Sequence, residues 1–161
     1  MSGTAFGGDV TRITTTQELP LGFEVTVPNG DFGTQTWVYV RTDEVLAIGE
    51  IAVVNTDYAN PYHVRIADGV EEAVTVVGIA QQAIAVDSFA FLLKRGRAPY
   101  IRGDGSVAAG EAIIPIAAGV ADTFINGEEE RVIGYALADD AADATLTDSV
   151  VVFAGMINCG I

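Results

Sequence analysis

The residues best suited to chemistry cluster in one stretch, KRGRAPYIRGDG at 94–105. Lys94, Arg95, Arg97 and Arg102 make up half of the eight basic residues in a chain of formal net charge −14. Cations this close together hold phosphate or carboxylate groups, the contacts used to bind nucleic acid or acidic partners. Nucleic acid is excluded as a general partner, because 22 acidic residues would repel its phosphates. The local reversal of charge instead marks Lys94, Arg95, Arg97 and Arg102 as a candidate docking patch for an acidic partner or a neighbouring copy. Arg102-Gly103-Asp104 spells the tripeptide that integrins read, yet Gly and Asp are also what turns use. The run SFAFLLKRGRAPYIRGDG reads as a strand, a basic bend, a short strand and an Asp-Gly hairpin turn.

Other reactive residues lack the partners that catalysis needs. His63, in NPYHVRI, is the single histidine, so a multi-histidine metal site is excluded, and no G-x-S-x-G elbow is present to pair with it. Cys159 is the single cysteine, which excludes an internal disulfide. Acids gather at Glu128-Glu129-Glu130 and at Asp139, Asp140, Asp143 and Asp148. Residues 139–148 lack the glycine and the closing glutamate of a calcium loop and read as a solvated acidic loop. A hydrolase using acids from 128–148 is a remaining alternative, since the separation of two carboxylates is a spatial quantity. RGDGSVAAG matches neither phosphate-cradling glycine pattern. The expectation is a chain with no cofactor, no metal and no catalytic residue. A glycan-binding role would need an exposed aromatic platform, for which Trp37 and Tyr39 are the candidates.

The elements that position these residues follow from composition and pattern. The 161 residues make one domain, and with half of them hydrophobic there is enough material for a core. Residues 1–20, rich in Gly and Thr, read as a flexible or extended arm, and 21–161 as a single β domain. The start MSGTAFGGDV has neither a basic n-region nor an apolar h-region, and no apolar run approaches the roughly 18 residues of a membrane span. A mean hydropathy of +0.36 is high for so acidic a chain and implies apolar surface buried between subunits.

Turn signals at PNGDFG, IRGDG, AAG and NGE separate short runs rich in Val, Ile, Thr, Phe and Tyr. Nine of these read as strands: 22–27, 34–40, 51–56, 62–67, 74–80, 88–93, 112–117, 131–137 and 149–157. Phe23, Val25 and Val27, then Trp37 and Tyr39, then Phe89 and Phe91 alternate with the period of two. Only 78–86 and 136–146 have helical composition, and the second has too many aspartates for a comfortable helix interior. The pattern predicts an all-β barrel or sandwich.

An internal repeat organises the chain. Leu46-Ala47-Ile48-Gly49-Glu50-Ile51-Ala52-Val53 recurs as Val107-Ala108-Ala109-Gly110-Glu111-Ala112-Ile113-Ile114, and Val76-Val77-Gly78-Ile79-Ala80 recurs as Val132-Ile133-Gly134-Tyr135-Ala136. The order is the same in both. The expectation is two similar β-units, 46–96 and 107–155, paired into one closed sheet, with each Gly-Glu turn placing its glycine at positive φ and its acid in water.

The succession VVGIAQQAIAVDSFAFLLKRGRAPYIRGDGSVAAGEAIIP, followed by RVIGYALADDAADATLTDSVVVFAGMI, resembles the capsid decoration, or cement, proteins of tailed bacteriophages. TWVYVRTDEVLAIGEIAVV upstream is similar to the aromatic-valine strand that precedes it there. The likeness covers residues 20–157 and consists of turn-and-strand signatures. It implies a structural virion protein, made in the bacterial cytoplasm, that binds the major capsid protein on the outside of the expanded capsid and ties capsomers together. It further implies a homotrimer, no cofactor, and no nucleic-acid or membrane partner. A carbohydrate- or host-surface-binding head fibre module is the alternative.

Overall fold

The computed structural model describes residues 9–69, 73–127, 129–139, 146–147 and 150–153. Twelve strands lie among them: β1 (Glu24–Pro28), β2 (Thr34–Thr42), β3 (Ile51–Val54), β4 (His63–Ile66), β5 (Val76–Ile79), β6 (Ser88–Ala98), β7 (Ile101–Arg102), β8 (Ala112–Ile116), β9 (Val120–Thr123), β10 (Gly134–Ala136), β11 (Leu146–Thr147) and β12 (Val150–Phe153). No α-helix occurs among the described residues, so the fold is all-β as the turn spacing predicts. The helical composition of 78–86 is overridden by sheet pairing and loop, and residues 140–145 lie outside the described residues.

Ten strands form one sheet in the order β1-β2-β4-β3-β5-β6-β12-β10-β8-β9, and β2 pairs with β6 as well. That extra pairing closes β2, β4, β3, β5 and β6 into a five-stranded ring. Val38, Val40, Ala52, Val64, Val77, Ala90 and Leu92 come from all five strands and pack as one cluster filling it. Leu46 and Ile84, joined by an isolated bridge, plug one end. Alternate residues of the same strands, Trp37, Tyr39, Phe91 and Leu93, point the other way into a second cluster with Ile113, Ile133 and Ala136. Period two with both faces buried explains why β2 reads as a nearly continuous apolar run, WVYV. From the arm, Thr14 bridges Phe89, and Val10 and Leu19 pack on the second cluster.

The repeat in sequence is a repeat in register. Ile51 faces Ile79 and Ala52 faces Gly78, just as Ala112 faces Tyr135 and Ile113 faces Gly134. Gly49 and Gly110 adopt φ of 83° and 88°. Their N–H groups donate to Ala80 O (2.6 Å) and Ala136 O (2.8 Å). Each glutamate then turns back on its own turn: Glu50 Oε2 accepts from Ala47 N (2.7 Å), and Glu111 Oε2 from Ala108 N (2.9 Å). The sheet order is palindromic about the antiparallel β6–β12 pair, with β4-β3-β5-β6 on one side and β12-β10-β8-β9 on the other.

Two expectations need correcting. Among the described residues the units do not join into one closed sheet: the closed ring lies in the first unit, completed by β2, which precedes residue 46. Nor does Glu50 stay in water. It is 7% exposed, because β7 and the 117–119 turn cover it.

Candidate docking surface

The stretch 94–105 is built differently from a bend and a hairpin. β6 runs unbroken through Lys94–Ala98, and a bulge takes the place of the bend. Trp37 pairs with Leu93 but Thr36 pairs with Arg95, so Lys94 is the extra residue. Gly96 follows at φ 115°, where a Cβ would sit 2.8 Å from Thr34 O, so only glycine fits. Here β6 exchanges partners, from β5 to β12 on one edge, while β2 continues along the other. β7 pairs with β11 rather than folding back on β8, so the Asp-Gly turn closes no hairpin. Asp104 instead accepts from Ser106 N (2.9 Å) and Ser106 Oγ (2.6 Å) through Oδ1.

The four basic residues of the sequence-derived patch have distinct surroundings. Lys94 forms an ion pair with Glu24. Arg97 lies over the Phe32 ring, 4.9 Å from guanidinium carbon to centroid, and donates to Asp31 O at 3.3 Å. Arg102 turns inward to Glu50 Oε1 at 2.7 Å, while its backbone N–H donates to Gly49 O (2.9 Å), which binds the second unit to the first. Arg95 is exposed and meets no carboxylate among the described residues. Six of the eight basic side chains have an acid within 4.0 Å. With Arg97 held on Phe32, Arg95 is left, among the described residues, as the cation free to meet a partner.

Arg95 stands on a recognisable surface. Thr26 and Thr36 share a face of the sheet, their hydroxyls 3.2 Å apart, and pairing with Thr36 brings Arg95 onto that face. On the same face Val38 lies two residues beyond Thr36 and lines a cleft of about 160 Å³ at the open mouth of the ring, with Tyr62, Val74, Val76, Val77 and Lys94. This arrangement can hold an apolar group beside a charged one. The sequence alone missed the cleft, because its walls come from four separate strands and the loops between them.

The other candidate residues are accounted for locally. His63 Nδ1 is 3.2 Å from Asp43 Oδ1, its ring stacks on Tyr58 at 4.2 Å, and Asn55 Nδ2 donates to Asp43 Oδ2 at 3.0 Å. No hydrogen bond joins His63 to a serine, threonine or cysteine among the described residues. Trp37 and Tyr39 are 8% and 3% exposed and belong to the core, so they form no surface platform. Asp139 Oδ1 accepts from Ala109 N at 2.8 Å, which ties that acid to the second Gly-Glu turn. Glu128, Asp140, Asp143, Asp148 and Cys159 lie outside the described residues. Among the described residues no group of His, Cys, Asp or Glu could hold a metal ion, and no helix is long and apolar enough to cross a membrane.

No protein-family model and no curated protein matches the sequence. A solved structure is similar in fold. The head fibre gp8.5 N base of bacteriophage phi29 aligns with 77% of this chain and 99% of its own, at a TM-score of 0.53 and 12% identity. The likeness establishes the fold. It covers nearly the whole of that chain, so the shared architecture extends beyond a single barrel.

Proposed function

We propose that the chain is a non-catalytic structural protein of a tailed-bacteriophage head, bound to the outside of the expanded capsid and stabilising it by bridging capsomers. The observation that carries this reading is the likeness of the fold to a phage head fibre base. It comes to a chain whose turn-and-strand signatures independently resemble phage decoration proteins. The major capsid protein is the partner, a homotrimer is the assembling unit, and neither nucleic acid nor membrane is engaged. The physics suits the role. A lattice-bound protein acts through many weak, repeated contacts, and multivalent attachment raises the effective concentration of each. Ring closure leaves the β1 and β9 ends as the edges of the main sheet among the described strands, and a charge of −14 keeps a protein made in many copies soluble and away from packaged DNA.

Burial of Trp37 and Tyr39 removes the aromatic pair on which a glycan-binding fibre module would have relied. The reading is tested by adding the purified chain to expanded heads that lack it. Saturable binding that raises resistance to heat or chelator is expected. Heads that ignore the protein, or bind it without gaining stability, would count against capsomer bridging.

A further inference from the structure

The bulge on β6 and the mouth of the ring together form a site whose cleft and free cation are left open by the described residues. The cleft of about 160 Å³ is apolar on the sides formed by Val38, Tyr62, Val74 and Val77. Val74 is 55% exposed, so the cleft opens to solvent. Beside it the sheet continues as a shelf bearing the Thr26 and Thr36 hydroxyls and the Arg95 guanidinium. Lys94, on the rim, is neutralised by Glu24, which among the described residues leaves the positive charge of this face on Arg95. β1 is also the edge strand of the sheet. Tyr39 N donates to Phe23 O and Gly22 N to Tyr39 O, so the odd-numbered residues of β1 direct their backbone groups to β2. The N–H and C=O groups of Glu24 and Thr26 therefore face away from the sheet.

We propose that this face binds an extended segment of a partner protein, with an apolar side chain in the cleft and, two residues along, a carboxylate on Arg95. Strand addition supplies backbone hydrogen bonds from the β1 edge, and side chains of period two supply the choice of partner. A local carboxylate is the complement of Arg95, while a partner that is acidic overall would be repelled by the net charge of −14. The site thus selects an acidic residue within an otherwise neutral or basic chain. It deepens the capsid-binding reading and rests on it for the partner's identity, but not for the chemistry.

The test uses the purified full chain on an immobilised array of short extended peptides. Each carries one aliphatic side chain and one aspartate at varied spacing, with asparagine in place of aspartate as the matched control. Peptides of the form aliphatic-x-Asp should bind roughly tenfold better than their asparagine controls, the scale of one charge-assisted hydrogen bond. Arg95→Ala should abolish that preference and keep the apolar one. Val74→Glu, at an exposed position with little effect on folding, should lose both. Absence of binding, indifference to spacing, or an aspartate preference that survives Arg95→Ala would each overturn the site. Binding by the array from a protein that heads ignore would leave the site standing and remove only the capsid reading.

Discussion

The two β-units share their turns and differ in how they close. In the first, β2 and β6 pair over Thr36–Thr42, and the ring has a core of its own. In the second, the described residues trace part of the same circuit. Among them β7 and β11 pair over two residues each, and Gly103, directly after β7, forms a parallel bridge with Ala121 of β9, the counterpart of Thr42–Val64 in the first unit. Ile113, Ile133 and Ala136 pack not within the second unit alone but in the cluster that also covers the outer face of the first. The Gly-Glu turn is thus a local instruction that works in both places, whereas the closed ring of the first unit rests on the long pairing of β2 with β6. The described core of the second unit is shared with the outer face of the first.

That account can be broken where its parts are most buried. Trp37→Ala and Leu92→Ala remove side chains from the two faces of the first unit, and each should cost about 3–5 kcal/mol and lower the urea midpoint. A Trp37→Ala variant of unchanged stability would return Trp37 to the surface and reopen the glycan platform. The paired glutamates sharpen the comparison. Glu50→Ala removes the acid that holds Arg102, whose side chain is 35% exposed, and should cost about 2 kcal/mol. Glu111 is half-buried and also accepts from Thr123 Oγ1 at 3.1 Å, so Glu111→Ala should cost only about 1 kcal/mol. Equal losses at the two positions would mean that Arg102 does not join the units.

Gly119 tests the join from the other side. It lies at φ 66°, donates to Ala67 O at 2.9 Å, and a Cβ there would meet Ile66, Glu50 and the Ile51 nitrogen at 3.0–3.2 Å. Gly119→Ala should cost about 1–2 kcal/mol, with hydrogen-exchange protection lost first in β8 and β9. The smallest effect lies outside both units. Thr11 donates to Asp9 from its hydroxyl and its backbone, which holds the Asp9 carboxyl below its ordinary value. A depressed value stabilises the folded arm above the unfolded pKa, and the contribution fades as pH falls through the folded one. Thr11→Ala should move the Asp9 titration, followed by NMR, part of the way back up toward the ordinary carboxylate range, because the backbone N–H of residue 11 still donates, and should leave the signals of β3 and β8 in place.

Much of this was legible in the residues. Short β-branched runs between Gly, Asn and Asp turns specify strands, and the recurrence of Gly49-Glu50 at Gly110-Glu111 specifies two units. Closure was not legible, because the pairing of β2 with β6 joins segments some fifty residues apart and leaves no local mark. β9 was missed since VADT has too few apolar residues to show a period. The basic stretch was recognised as a patch. That its charges are unequal, with Arg102 turned inward, Arg97 on a ring, Lys94 paired and Arg95 free, depends on partners contributed by β1, β2 and the first Gly-Glu turn.

The most direct measurement is the copy number of this chain relative to the major capsid protein in purified particles. A head-bound bridging protein predicts stoichiometric amounts that scale with the number of capsomers. Trace amounts would place it at a vertex or fibre, and absence from the particle would contradict the structural role altogether.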